Sequence, residues 1–173
     1  MRSHCQLLLT NDMSDSIASH SFRTTIIGLF LSKLEKADPY KVVIMCLLHD
    51  IEETRSGDQN WVHKKFVKVY GEEIREEQLK KLPKSEDLLQ LSNEYQKRET
   101  REAKIAKDAD LLDQILLLKE YSWQGNKEAT RWIKEGNLQE KLMFTSSAKN
   151  LAQEVFKQNP SQWWNNLWTN KRR

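Results

Sequence analysis

The chain is poor in the residues that non-helical folds depend on. Its 173 residues include five glycines, three prolines and two cysteines. So few turn-formers, set against 31% charged residues, argue against a β-rich or disordered chain and favour a helical globular one. Two isolated cysteines, Cys5 and Cys46, with no Cys-x-x-Cys pair, exclude a disulfide framework and point to a reducing, cytoplasmic setting. Long apolar runs are also missing, so no segment is expected to span a bilayer. The first fifteen residues lack the apolar stretch and cleavage site of a signal peptide. A formal charge of +3 suits a small anionic ligand but is too weak to argue for a nucleic-acid polymer.

Apolar spacing supplies the elements. Ile17, Phe22, Ile26, Ile27, Leu29, Phe30 and Leu34 recur at helical steps, predicting a first helix from Ser16 with that stripe turned inward. Asp38 and Pro39 are a cap and first-turn pair for a second helix, Tyr40 to about Glu53. Its "VVIMCLL" run predicts burial on nearly all sides. One or two surface helices fit residues 61–83, and another fits Glu86 to Arg98. The longest begins near Thr100 and stops at Gly125, with Ile105, Leu111, Leu112, Ile115 and Leu116 as its buried face. Shorter helices are expected near Lys127–Glu135 and Ser147–Gln158. The tryptophans Trp163, Trp164 and Trp168 read as a closing segment, and the last four residues as a solvated basic tail. The length suits one domain, and no repeat or linker divides it.

Chemistry concentrates where the second helix ends, in "CLLHDIEET". His49 and Asp50 are adjacent, and Glu53 follows four residues after the histidine, on its face if the helix continues. Glu52 reads as a solvated charge. Asp58 lies in the loop after Gly57. His20 belongs to the first helix. "KDADLLD" offers Asp108, Asp110 and Asp113, of which Asp110 stands out because it abuts Leu111 and Leu112. His20, His49, Asp50 and Asp110 would make a two-histidine, two-carboxylate site for a divalent ion such as Mn, Co, Fe, Ni, Zn or Mg. From the residues alone, a hydrogen-bonded core histidine accounts for His49 as well as a ligand does. His4 and His63 have weaker claims. Arg23, Lys64 and Lys65 are secondary candidates for phosphate contact. Trp61 suits a base, the core or an interface equally.

"ASHSFR", "CLLHDIEETRSGD" and "EAKIAKDADLLDQILLLKEY" together resemble the HD-domain phosphohydrolases, and within them the branch containing the 5′-deoxynucleotidases. The ordered set H…HD…D, with a glutamate four after the histidine and a GD beyond it, carries the resemblance. It implies an all-α HD-domain helical bundle over residues 1–173, with a core at about 16–122 and C-terminal helices at about 127–170 packed on it. His20, His49, Asp50 and Asp110 map onto metal ligands. Glu53 maps onto the acid that assists the attacking water, and Asp58 onto a catalytic, substrate-side acid. Arg2 maps onto an arginine that holds the phosphate. Ser3 and His4 stand where that branch often has a tryptophan. The implied reaction is release of phosphate from (deoxy)nucleoside 5′-monophosphates by a metal-activated water, in a homodimer. Another HD phosphohydrolase, acting on guanosine tetraphosphate or a cyclic nucleotide, and a catalytically silent nucleotide-binding protein are the alternatives.

Overall fold

The computed structural model of the chain describes residues 2–136, 138–164 and 167. Trp168 and the basic tail therefore lie outside the described residues. The elements in order are α1 (His4–Leu7), α2 (Ile17–Leu34), α3 (Pro39–Leu48), α4 (Glu53–Ser56), α5 (Trp61–Phe66) and α6 (Gly71–Leu79), followed by α7 (Ser85–Lys97), α8 (Arg101–Trp123), α9 (Lys127–Gly136), α10 (Leu138–Leu142) and α11 (Ser146–Lys157), with a short 3-10 turn at Gln162–Trp164. No strand occurs among the described residues, and the fold is all-α.

Caps written in the sequence start the main helices. Ser16 and Ser19 satisfy each other's backbone N–H at 3.1 and 2.9 Å to open α2. Asp38 accepts from the Tyr40 N–H at 2.9 Å, with Pro39 in the first turn of α3. Thr100 accepts from the Ala103 N–H to open α8. The buried acid Asp108 serves a cap too: it accepts from the N–H groups of Phe144 and Thr145, each at 2.8 Å, and so seats the start of α11.

α8 is the central column, packed by α2, α3, α7, α9 and α11. The main core joins Leu31, Met45, Tyr95, Ile105, Leu112 and Ile115, among others. Each such side chain contributes about 1.5–3 kcal/mol on leaving water. A second cluster of Leu8, Leu117, Leu118, Tyr121 and Ala129 fastens the N-terminal segment and α9 to the far end of α8.

Three expectations are corrected. The stripe on α2 does not face inward as a whole: Phe22 and Phe30 are 67% and 61% exposed, and Ile26 and Leu34 are exposed as well, while Ile27 packs on the core. The buried face is His20, Ser21, Thr24, Gly28, Leu31 and Ser32. Small residues win there because α2 and α3 cross closely; a Cβ at Gly28 would stand 2.6 Å from Cys46 Sγ. That crossing sets His20 opposite His49. Second, α3 ends at Leu48, not near Glu53, and Leu47 is exposed. The His49 ring takes the Cys46 carbonyl at 2.7 Å, an acceptor a continuing helix would need for the Asp50 N–H, and the chain turns through Leu48–Ile51 and Asp50–Glu53 bonds. Third, Leu116 on α8 is 37% exposed.

Candidate metal centre

His20 is fully buried on α2, and His49 is 2% exposed at the end of α3. Both rings are oriented through Nδ1. His20 Nδ1 lies 2.6 Å from Asp113 Oδ2, and His49 Nδ1 donates to the Cys46 carbonyl. Asp113 sits on α8 and also accepts from Arg23, at 2.6 Å from Nε. Although its burial opposes ionisation, His20 and Arg23 hold its carboxyl below the usual range. With both Nδ1 atoms committed, the two Nε2 atoms face each other at 3.0 Å. A carboxylate or carbonyl behind a ligating imidazole fixes its tautomer and aim.

Two carboxylates complete the group. Asp50 Oδ2 is 3.4 Å from His20 Nε2 and 3.1 Å from His49 Nε2. Asp110 Oδ1, from α8, is 3.3 and 3.8 Å from the same atoms. Burial alone would raise both acids, but the facing imidazoles, and Lys107 beside Asp110 at 2.6 Å, keep them ionised. The same carboxylates and Asp113 push His20 up to about 10 against its burial. Each carboxylate oxygen lies 3.1 to 3.8 Å from both imidazole nitrogens, a spacing that fits a divalent cation: bonds of about 2.1 Å at right angles put neighbouring donors about 3.0 Å apart. Even without Asp110, His20, His49 and Asp50 are near enough to one another to hold an ion.

His49, Asp50 and Asp110 line a cleft of about 360 Å³, with His20 buried behind them. Arg2 lines it, 9% exposed, with Nε and Nη1 lacking any partner; its N–H donates to the Asp15 carbonyl at 2.9 Å. Glu53 lines it as well, with Oε2 buried and unpartnered. Burial, then repulsion from Asp50 and Asp58, lifts the Glu53 carboxyl to about 8. Asp58 is in the cleft, but its Oδ2 accepts from the Ser3 N–H at 2.6 Å, so it holds the residue next to Arg2. Glu52 is not a solvated charge: it is half-buried against Arg75 at 3.2 Å. Arg23 is not a phosphate candidate but is committed to Asp113 and Asp15. Lys64 lines the cleft; Lys65 does not.

Sequence reasoning passed over Asp113, Asp15 and His4. Asp113 had a signal, one helical turn beyond Asp110 on the same face. Asp15 and His4, 2.9 Å apart, had none, because their pairing is set by how α1 returns to the bundle.

A family model described as an HD domain matches residues 5–154, and the chain belongs to that family. A curated relative, the 5′-deoxynucleotidase HDDC2 of Dictyostelium discoideum, is 26% identical over 126 residues. The match covers 65% of this chain and 66% of that protein, just under two thirds of its length. Among solved structures, a conserved hypothetical protein from Pyrococcus furiosus is similar with a TM-score of 0.72 and 25% identity, covering 91% of each chain. The PH0347 protein from Pyrococcus horikoshii OT3 is similar with a TM-score of 0.66 and 28% identity, covering 82% of this chain and 83% of that one.

Proposed function

We propose that this HD-domain protein, read as one domain throughout, is a phosphomonoesterase that releases phosphate from (deoxy)nucleoside 5′-monophosphates. The observation that carries the reading is the meeting of the His20, His49, Asp50 and Asp110 donor atoms on the wall of a cleft that also holds the unpartnered guanidinium of Arg2. These four residues would hold a divalent cation, which when bound lowers the pKa of a water and offsets phosphoryl charge. Arg2 supplies unpartnered, charged guanidinium donors for phosphate oxygens, at Nε and Nη1. Glu53 exchanges a proton at Oε2, either from the attacking water or to the leaving oxygen; its elevated pKa suits both directions near neutrality. Asp58 fixes Ser3, and through it Arg2, and faces the substrate from the cleft lining. The name of the Dictyostelium relative supports the nucleotide substrate.

The proposal extends to a homodimer, supported by the exposed row of Phe22, Ile26 and Phe30 on α2, an apolar face of a kind that monomers rarely leave open. It also places the chain in a reducing cytoplasm, in keeping with two buried free thiols. No helix of the described residues is long and apolar enough to cross a membrane. The test is a panel of deoxy- and ribonucleoside monophosphates, guanosine tetraphosphate and cyclic nucleotides, with the protein loaded with Mn or Co. Inorganic phosphate should appear from monophosphates and stop on chelation. Turnover of only the other two classes would overturn the monophosphate reading.

A further inference from the structure

Two tryptophans from distant parts of the chain meet on the rim of the same cleft. Trp61 opens α5 and Trp132 lies on α9; their ring centroids are 5.0 Å apart at an interplanar angle of 35°. Both line the cleft that holds Arg2, His49, Asp50 and Asp110. Trp132 packs on the second hydrophobic cluster, while Trp61, stacked on it, is 64% exposed. Core packing explains Trp132. It does not explain a large ring left mostly in solvent beside it.

The placing of the pair is built in by two asparagines that work alike. Asn60 caps α5, accepting from the Val62 and His63 N–H groups at 3.0 and 3.1 Å. Its amide meanwhile donates to the Ser3 carbonyl at 3.1 Å. Asn126 caps α9 through the Ala129 N–H at 2.9 Å and donates to the Leu8 carbonyl at 2.8 Å. The residues just before and just after α1 are thus each held by an asparagine that launches one of the tryptophan helices. Arg2, immediately before Ser3, is fixed in the same frame. A phosphate-binding group and an aromatic surface are therefore set at a defined separation before any ligand arrives, which is the condition for cheap recognition of a two-ended molecule.

We propose that Trp61, backed by Trp132, is the platform on which the nucleobase of the substrate stacks while Arg2 takes the phosphate. This rests on the phosphomonoesterase reading and adds that the base, not the sugar phosphate alone, is recognised. Every nucleobase presents a π-face, and stacking on one aromatic ring is worth about 1–3 kcal/mol, or roughly 5- to 150-fold in affinity. Gln96 and Gln114 line the same cleft and carry amides that both donate and accept at a base edge.

The test compares a deoxynucleoside 5′-monophosphate with 2-deoxyribose 5-phosphate, the same ester without its base, on the Mn-loaded full chain. The native protein should favour the nucleotide in kcat/KM by about tenfold or more. Trp61→Ala should shrink that ratio toward one, chiefly through KM for the nucleotide, and Trp61→Phe should restore most of it. Phosphate release from both esters at equal efficiency by the native protein would overturn this inference and leave the phosphomonoesterase reading standing. An equal fall on both substrates in Trp61→Ala would also overturn it, since that marks a structural role. Release from neither ester would remove the reading and this inference together.

Discussion

Two histidine–carboxylate clusters lie among the described residues of this bundle, and they are built to opposite ends. In one, His20, His49, Asp50 and Asp110 face one another through imidazole Nε2 and carboxylate oxygens, with the His20 proton to be displaced. In the other, His4, Cys5 and Asp15 also come close enough to share an ion. There, however, Asp15 is already engaged by His4 at 2.9 Å and by Arg23 at 3.2 Å. Burial and the neighbouring Asp15 push the Cys5 thiol up to about 11, so it stays protonated. A cation entering that second cluster would displace one already there. Proximity of ligand-type residues does not define a metal site; what decides is which of their atoms are still uncommitted.

The largest contrast is expected from His49. His49→Ala removes a donor that no other residue replaces, and phosphate release should fall at least about a thousandfold, with loss of Mn binding by calorimetry. His4→Ala should leave cation binding within a factor of a few. If His4→Ala abolished binding instead, the two clusters would have been assigned the wrong way round.

A smaller effect is expected one layer out. Asp113→Asn keeps the shape but loses the charge behind His20, so cation affinity should drop about 10- to 100-fold. Affinity equal to the native protein would show that His20 is oriented by packing alone. The centre should also sense pH. His20, pushed up to about 10, carries a proton at neutrality and must lose it to ligate. Cation binding at pH 7 should therefore release protons, and affinity should rise up to about tenfold per pH unit below that value. Calorimetry in two buffers of different ionisation enthalpy measures this directly, and a buffer-independent heat would contradict it.

How much of this was legible beforehand follows the same division. The caps at Ser16, Asp38 and Thr100 and the long apolar face of α8 are local signals, and they place the starts of those helices to within a residue or two. His20, His49, Asp50 and Asp110 were readable as an ordered motif, and the fold does bring them together. What could not be read was determined by tertiary packing. The α2 stripe pointed the wrong way because hydrophobic spacing alone cannot report that Gly28 needs contact with Cys46. The end of α3 was misplaced because a side chain, His49, captured a backbone acceptor. That Asp58 holds the Ser3 N–H was unreadable for the same reason: its partner lies 55 residues away.

The smallest expected effect sharpens the comparison from the other cluster. His4 and Arg23 offset the burial of Asp15 and hold its carboxyl at about 2, below its ordinary 3.8. A depressed carboxylate pKa stabilises the fold above the unfolded value, and that stability is lost as pH falls from about 4 through 2. The difference corresponds to about 2 kcal/mol near neutrality. Asp15→Asn should accordingly lower Tm at pH 7 by roughly 4–8 °C for a chain of this size. It should also flatten the acid limb of the stability curve. Cation affinity should move much less than in Asp113→Asn, because Asp15 reaches His20 only through Arg23 and Asp113. A fall in affinity as large as that of Asp113→Asn would mean that the ion pairs behind His20 act as one unit, and that the cluster assigned here to stability also tunes the metal centre.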